Sequence, residues 1–407
     1  MKRAFLTPPR AVRGVSLLEL MTAMTIGLLI LLGLTSVFVN SSTASRELKN
    51  TAEQIENGRY AIELLTQDIR HAGYYGELSV LPTAPAAAPD ACVAPTADVV
   101  SDTVNAALAL PLQYVSAAAV PTACAAYLTA ANLQANSDIV VVRRTDTTRM
   151  PITCTTSVTL KTTPTTADPF MAAIYYLQTS PNNAEIQMGG ANGTVINSTK
   201  NAAGAAYTSL MVRRDLSTAA GTTGGTCAAA VAGQFPEVAA AIRKYRTHVY
   251  FVAPCSVPSD GTAICTGSTD DNGRPIPTLK RLELGAAGEF SIVSIVEGIE
   301  AIRVEYGLDT IPTAADINTG LIGDGVTDSY TNMPSVADMG NTIAARIYVL
   351  ARNTAPTTGY SDDKTYTLGT SPAYTYTPSG AQTSYKRHVY NAETRIVNQA
   401  GRREIPR

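Results

Sequence analysis

A single carboxylate lies inside the most apolar part of the chain. Residues 15–39 read VSLLELMTAMTIGLLILLGLTSVFV, and Glu19 is their only ionisable side chain. An ionisable group inside a membrane helix costs about 2–3 kcal/mol or more, so it usually has a partner and marks a functional site. Glu19 is therefore predicted to be a functional residue. The alternative is a glutamate that reaches the lipid headgroups, because Glu19 is close to the start of the apolar run.

A short basic leader precedes this run. Residues 1–14 contain four basic residues and no acid, and no charged residue occurs from Leu20 to Ser45. An apolar helix of about 25 residues is roughly 38 Å long, which is enough to cross a hydrocarbon core of about 30 Å. The positive charge predicts that the leader stays in the cytoplasm and that everything after residue 45 lies outside the membrane.

The order of these features resembles the N-terminal signal of prepilins. An ordinary secretory signal has small residues after its apolar run, whereas Gly14 precedes the run here. The resemblance implies that a prepilin peptidase cleaves after Gly14 and that the new N-terminus, Val15, is methylated. It also pairs Glu19 with the N-terminal amine of the next subunit in a filament, a strong attraction where the dielectric is low. Most pilins have phenylalanine in place of Val15, and a plain signal anchor is the alternative.

Helical periodicity continues beyond the apolar run. Apolar residues recur at helical spacing from Leu48 to Ala72, no proline interrupts them, and Gly73 ends the pattern. We therefore predict one helix from about residue 16 to residue 72. The N-terminal part, residues 15–45, is expected to be transmembrane, and residues 46–76 are expected to contain its extramembrane half.

The stretch NGRYAIELLTQDIRHAGYYG, residues 57–76, resembles the motif that follows the membrane helix in the PilW family of type IV pilus minor pilins. Shorter resemblances follow in the family's order, at residues 137–144, 296–310, 344–353 and 385–398. The resemblance implies a pilin-like fold, in which the long helix packs on a mostly antiparallel sheet.

The remainder, residues 77–407, is predicted to be a β-rich body, which makes the fold class α+β. Two segments, 80–132 and 354–384, are rich in small, polar and turn-forming residues and are predicted to be long surface loops or hairpin insertions. They are either variable surface segments without a binding role or a binding surface. Runs of β-branched and aromatic residues predict strands at 138–143, 152–160, 210–214, 248–253, 278–284, 290–296, 301–306, 343–351 and 388–396.

Six cysteines in an exported chain predict disulfides. None of them has the C-x-x-C spacing that is typical of a zinc site. The sequence does not fix the pairing. We expect near neighbours to pair, and buried free thiols are the alternative. The expected pairs are Cys92–Cys124, Cys154–Cys227 and Cys255–Cys265.

An acidic loop follows the predicted strand 301–306. PilW-like proteins often have an aspartate-rich loop at this place that is similar to a calcium loop, so Asp309, Asp324 and Asp328 form a calcium hypothesis. Calcium takes six to eight oxygens from a compact acidic turn. The loop here is stretched, and solvated turn residues are the alternative. No other cofactor is expected.

Enzymes and nucleic-acid-binding proteins are not favoured. The chain has no G-x-S-x-G, H-E-x-x-H or P-loop motif, so we expect no catalytic site. His248 and His388 lie in predicted strands and are expected to be structural. Four of the 31 basic residues are in the leader, and the remaining 27 face 33 acidic residues, a net charge of −6. This charge offers no general attraction to nucleic acid.

The resemblance implies a minor pilin that helps to initiate assembly of a type IV pilus and remains in its tip complex. Its partners would be other minor pilins, the major pilin, the prepilin peptidase and a tip adhesin, in the service of twitching motility or cell adhesion. The protein would first lie in the bacterial inner membrane with a periplasmic C-terminus, and later in the pilus at the cell surface. The alternatives are a J-type pseudopilin of type II secretion, and an anchored adhesin or DNA receptor that uses an insertion.

Overall fold

The computed structural model of the chain describes residues 16–79, 81–93, 102–150, 153–154, 160–161, 174–179, 181, 184–189, 195–197, 211–213, 237–239, 241–310 and 324–404. The chain divides into two compact units, Met1–Ala52 and Glu53–Arg407. The first unit contains the apolar part of the long helix. The second unit contains the rest of the helix, the β-rich body and every described strand.

The helices and strands follow the α+β class. The helices are α1 (Leu17–Arg70), α2 (Asp102–Ala109), α3 (Asp270–Gly273), α4 (Val336–Gly340) and α5 (Val397–Arg403). The strands are β1 (Leu112–Val115), β2 (Ile139–Thr145), β3 (Thr153–Cys154), β4 (Leu160–Lys161), β5 (Tyr175–Thr179), β6 (Ala184–Gly189), β7 (Val195–Asn197), β8 (Met211–Arg213), β9 (Glu237–Ala239), β10 (Ala241–Ala253), β11 (Thr278–Leu284), β12 (Phe290–Glu297), β13 (Ile299–Leu308), β14 (Ser329–Thr331), β15 (Thr342–Arg352), β16 (Tyr366–Leu368), β17 (Tyr374–Tyr376) and β18 (Arg387–Arg395).

The predicted long helix is confirmed as α1, which ends close to the expected residue. The chain turns away at Gly73, which has a φ of 72° and donates its N–H to the carbonyl of Arg143 at 2.9 Å. Glycine adopts this left-handed conformation without steric cost and commonly ends helices. The turn therefore connects the end of α1 directly to strand β2.

A large antiparallel sheet contains eight strands, in the order β1-β2-β10-β5-β6-β7, with β11 joined to β10 and β12 joined to β11. Strand β10 organises this sheet, because its 13 residues are long enough to pair with three neighbours. Its first residues pair with β5, and later residues pair with β2 and β11.

A second antiparallel sheet has four strands in the order β14-β13-β15-β18. We expected one sheet on the helix. This expectation is wrong, because the described residues form two main sheets. The remaining described strands form three separate pairs, β3–β4, β8–β9 and β16–β17. All of these pairings are antiparallel, as the sequence predicted.

The main core lies between the C-terminal half of α1 and both sheets. Buried side chains of α1, among them Leu65 and Ile69, pack with Val140 of the large sheet and Val304 of the small sheet. A second group, here called the outer cluster, covers the other face of the large sheet and includes Val141, Phe251, Leu282 and both described disulfides. Burial of this apolar area contributes about 25 cal/mol per Å², which makes packing on both faces of the sheet the main stabilising force.

Both predicted insertions contain regular secondary structure in their described parts. Within the described part of 80–132, α2 precedes β1, and β1 is a strand of the large sheet paired with β2. The expectation of only loops or a hairpin there was wrong, because Leu112 of β1 lies in the main core. Segment 354–384 contains the hairpin β16–β17, as predicted. Its tyrosines and Leu368 pack against Leu350 on the outer face of the small sheet.

Candidate functional site

The apolar part of α1 presents its large side chains outward. Every Leu, Ile, Met, Val and Phe from Leu17 to Val39 is at least 50% exposed. Among the helices that the structure describes, α1 is long and apolar enough to cross a membrane. Glu19 lies in its first turn and is exposed. The predicted cleavage residues Gly14 and Val15 lie outside the described residues.

Threonine hydroxyls inside this apolar part are bonded within the helix. Thr22 donates to the carbonyl of Glu19 at 3.0 Å, Thr25 to that of Met21 at 3.1 Å and Thr35 to that of Leu31 at 2.8 Å. Such bonds to the preceding turn satisfy the hydroxyl donor without an outside partner. Glu19 is the one ionisable group of the apolar segment, and its pairing with a neighbouring subunit stays a prediction.

The motif 57–76 fixes the second half of α1 in the body. Asn57 donates its side-chain amide to the carbonyl of Glu297 at 3.1 Å, at the end of β12. One turn earlier, the amide of Gln54 donates to the carbonyls of Ala351 and Lys386, at 3.0 and 3.1 Å. Polar side chains of α1 therefore bind the backbone of both sheets. These hydrogen bonds fix the orientation of the helix, in addition to the apolar packing.

Asp68 is the centre of a buried charge cluster between α1 and the large sheet. Its Oδ1 accepts from Nε of Arg144 at 2.6 Å, and its Oδ2 accepts from Nδ1 of His248 at 2.7 Å and from the hydroxyl of Tyr250 at 2.8 Å. Burial alone would raise the pKa of Asp68. The hydrogen bonds and positive charges of His248 and Arg144 outweigh burial and hold this pKa below its usual range.

The same cluster raises the pKa of Tyr250. Burial is the main cause, and the charge of Asp68 adds to it, while Arg281 acts in the opposite direction. Tyr250 therefore stays protonated and donates to Asp68. Together these contacts make His248 a structural residue, as the sequence predicted. His388, by contrast, is exposed and lies edge-on to the ring of Tyr390, with 4.7 Å between the ring centroids.

An open groove of about 500 Å³ lies beside this cluster. Its charged lining is largely paired within the protein, because Arg144 binds Asp68 and Asp146 binds Arg246. The carboxylate of Asp68 in this groove accepts hydrogen bonds from Arg144, His248 and Tyr250. We interpret the cluster as a structural lock of α1 on the body.

From sequence, Asp68 is only one residue of the motif 57–76, and its partners were not predicted. Arg143 and Arg144 are neighbours in the sequence, yet their side chains have different surroundings. Arg144 faces α1, whereas Arg143 is buried and donates to the carbonyl of Leu110 at 2.9 Å. The alternation of β2, in which successive side chains point to opposite faces, is the signal that separates them.

Two of the three expected disulfides are present in the structure. Cys92 bonds to Cys124, and Cys255 bonds to Cys265. Both lie in the outer cluster. The third expected pair, Cys154–Cys227, stays a prediction because Cys227 lies outside the described residues.

The three aspartates of the calcium hypothesis lie near the C-terminal helix α5. Asp309 is buried, accepts from the N–H of Gly325 at 2.8 Å and forms an ion pair with Arg403 at 3.2 Å. Asp324 and Asp328 accept from the backbone N–H groups of Val326 and Thr310, respectively. Protein groups therefore bind these carboxylates at the described ends of the loop, and calcium binding stays a prediction.

Metal-ligating side chains come together at two other places in the described residues. Asp90 lies beside Cys92 and Cys124, and Asp270 lies beside Cys255 and Cys265. In both groups the sulfur atoms are joined in a disulfide, which removes the thiolates that a soft metal ion needs.

Comparison with known proteins bears on the last third of the chain. Residues 266–398 match the family model PilW, described as Type IV Pilus-assembly protein W. The matched segment contains three of the stretches whose resemblance to this family was noted from sequence, at 296–310, 344–353 and 385–398, and it confirms that resemblance. No curated protein and no solved structure gave a match.

Proposed function

Because residues 266–398 match the PilW family of type IV pilus-assembly proteins, we propose that this chain is a minor pilin, a structural subunit that helps to initiate a pilus and remains at its tip. The match itself supports a role related to pilus assembly and an interaction with other pilus components. The finer assignment to a minor pilin rests on the N-terminal helix and on how the body holds it.

Glu19 carries the proposal. It is an exposed carboxylate in the first turn of an otherwise apolar helix segment, and within the described residues its side chain forms no hydrogen bond or ion pair. In a bundle of such helices inside a membrane, it pairs with the N-terminal amine that cleavage after Gly14 creates on a neighbouring subunit. An ion pair at low dielectric is strong and directional, and it sets the axial register between subunits.

The body supports this assembly by holding α1 firmly. The Asp68 cluster and the amides of Gln54 and Asn57 bind the helix to both sheets. A pulling or packing force on the helix is therefore transmitted to a folded domain. We propose no catalytic activity, and we place the protein first in the inner membrane with the body in the periplasm.

The experiment uses a strain that lacks the gene and is complemented with Glu19→Gln, which removes the charge and keeps the shape. We expect normal amounts in the membrane fraction and at least a several-fold loss of the protein from sheared pili. Glu56→Gln is the matched control, because Glu56 is an exposed glutamate of the same helix beyond the apolar segment. Normal incorporation of Glu19→Gln would refute the pairing mechanism.

Deletion of the gene tests the wider role. Loss of surface pili that is restored by complementation supports initiation of pilus assembly. Normal piliation with defective protein secretion would identify a J-type pseudopilin, and normal piliation with defective adhesion would identify a tip-borne binding protein.

A further inference from the structure

A buried lysine lies beside one of the two disulfides. Lys280 is on β11, and it is 1% exposed. Its Nζ is 3.9 Å from Sγ of Cys255 and 3.8 Å from Sγ of Cys265. In the described part of the chain these two sulfur atoms are the hydrogen-bonding contacts of the amine, and no carboxylate forms an ion pair with it.

This position is costly for an ammonium group. Removing a charged group from water is unfavourable unless an opposite charge and hydrogen bonds compensate for the lost hydration. Burial lowers the pKa of Lys280, while the charges of Asp271 and Asp270 act in the opposite direction. A disulfide is neutral and supplies no counter-charge. A thiolate at either cysteine would supply it.

Asp270 also lies near these sulfur atoms, with a carboxylate oxygen within 4.8 Å of them. Both of its oxygens are already used. Oδ1 accepts from the N–H of Ser259 at 2.8 Å and from Thr266, and Oδ2 accepts from the N–H groups of Thr266 and Gly267 at 2.7 and 2.9 Å. These donors compensate the charge of Asp270, whereas Lys280 has no carboxylate in an ion pair with it among the described residues.

The other disulfide has the opposite electrostatic neighbour. Oδ1 of Asp90 lies 3.4 Å from Sγ of Cys124 and accepts from the N–H of Cys92 at 3.0 Å. A thiolate formed at this pair would face a carboxylate, which disfavours it. The chain therefore contains two buried disulfides of the same outer cluster, one beside an ammonium and one beside a carboxylate.

The charge beside a cysteine decides how readily its disulfide exchanges. A neighbouring cation lowers the pKa of a thiol, and a leaving thiolate of lower pKa leaves faster and is more stable once formed. An anion has the reverse effect. The two disulfides should therefore differ in their equilibrium with an external thiol.

We propose that Cys255–Cys265 is the more readily reduced of the two disulfides and that Lys280 stabilises its reduced form. Because both of its sulfur atoms are buried, exchange with a small thiol or a protein dithiol takes place when the outer cluster opens locally. This inference does not depend on the role in pilus assembly. Cys92–Cys124 is the structural disulfide of the pair.

In the exchange, an incoming thiolate forms a bond to one sulfur of the pair. The Sγ–Sγ bond breaks, and its electron pair goes to the other sulfur, which remains a thiolate beside Nζ of Lys280. A second thiolate of the reductant then attacks the mixed disulfide. The reductant leaves as a disulfide, and the protein keeps one thiolate paired with Lys280 and one thiol that takes a proton from solvent.

The test uses the full chain in detergent, equilibrated with mixtures of reduced and oxidised dithiothreitol. Acid quenching, alkylation and peptide mass spectrometry then measure the reduced fraction of each cysteine pair separately. We expect Lys280→Met to require an about tenfold higher ratio of reduced to oxidised reagent to open Cys255–Cys265, the effect of one pKa unit at the leaving thiol. Lys280→Arg keeps the charge and should resemble the wild type.

The midpoint of a pair is the ratio of reduced to oxidised dithiothreitol at which half of that pair is reduced. Cys92–Cys124 in the same samples is the internal control, and its midpoint should not change in either Lys280 variant. Asp90→Asn should shift that pair alone, towards easier reduction. An unchanged midpoint of Cys255–Cys265 in a folded Lys280→Met variant would overturn the proposal.

A measurement on the unaltered chain keeps the test valid if Lys280→Met does not fold. The ratio between the midpoints of the two disulfides is determined in the native state and again in concentrated denaturant, where Lys280 no longer lies beside the sulfur atoms. We expect Cys255–Cys265 to become relatively harder to reduce on denaturation. No change in the ratio would contradict a role for the native surroundings.

Discussion

Gly58 of α1 and Tyr390 of β18 meet so closely that no side chain fits between them. A Cβ atom at position 58 would lie 2.1 Å from Cε2 of Tyr390. The aromatic ring occupies the space that a side chain would need, as expected of an interior packed to the density of a crystal. This contact fixes where the second half of α1 crosses the edge strand of the small sheet.

We therefore expect Gly58→Ala to lower the free energy of unfolding by about 1–3 kcal/mol, the typical effect of overpacking. The better helix propensity of alanine, worth up to about 1 kcal/mol, offsets this only in part. Chemical denaturation of the full chain in detergent measures the change. Gly401→Ala is the matched control, since its added Cβ meets nothing within 4 Å, and it should not destabilise.

Asp68→Asn should destabilise the body by about 3–5 kcal/mol, because it leaves the buried partners of a broken ion pair without an anion. Glu63→Gln, on the exposed side of the same helix, should change stability by less than about 0.5 kcal/mol. The measurement is denaturant unfolding at pH 7. Equal losses for the two variants would show that the Asp68 cluster does not hold the helix.

Because of Asp68, we also expect the free energy of unfolding to depend on pH. The folded-state pKa of Asp68 is lowered, so its contribution is present above the unfolded pKa of about 3.9 and is lost as the pH falls towards the folded value. The wild type should therefore lose more stability than Asp68→Asn between about pH 5 and pH 3. Parallel curves for the two proteins would contradict this assignment.

Arg387 joins the insertion 354–384 to the small sheet. Its Nε lies 2.6 Å from Oε2 of Glu300, its Nη1 lies 3.1 Å from Oδ2 of Asp362, and its side chain is fully buried. We expect Arg387→Ala to cost about 3–5 kcal/mol and to make the insertion the first site of limited proteolysis. Lys364→Ala, an exposed cation of the same insertion, is the control. Cleavage elsewhere at the same rate would show that the insertion is held by other contacts.

Asp309→Asn should lower the melting temperature in chelator and in millimolar calcium alike, because the carboxylate that it removes binds Arg403 and the N–H of Gly325. The loss of a buried charge-assisted pair amounts to about 3–5 kcal/mol. Calorimetry with calcium and with chelator makes the comparison. A calcium-dependent rise in the wild type that disappears in the variant would instead support a calcium site.

The long helix and most of the strands in the matched segment could be predicted from sequence, because periodicity and turn residues mark them locally. Strand β11 was predicted with its observed bounds, Thr278–Leu284. What periodicity could not show is which faces are covered. Both faces of the large sheet are buried, so Lys280 and Arg143, which look like solvent-facing residues in an alternating strand, lie inside the protein.

The division into two sheets and the role of the insertions were missed for the same reason. Strand β1 is four residues long and carries no strong β pattern, and its place in the sheet depends on pairing with β2. The partners of Asp68 come from strands more than 70 residues away. Contacts at such separations follow from the fold as a whole, and local patterns do not contain them.

The threonines that bond within the apolar part of α1 leave that surface without free hydroxyl hydrogens at Thr22, Thr25 and Thr35. Gly27 and Gly33 add open notches, since a Cβ at either would meet nothing within 4 Å. Two helices of this kind can pack by shape alone, with large side chains against the gaps at Gly27 and Gly33, and Glu19 is the single charge near one end. Such a surface constrains the identity of a neighbouring helix only weakly, but it constrains the axial position of that helix strongly.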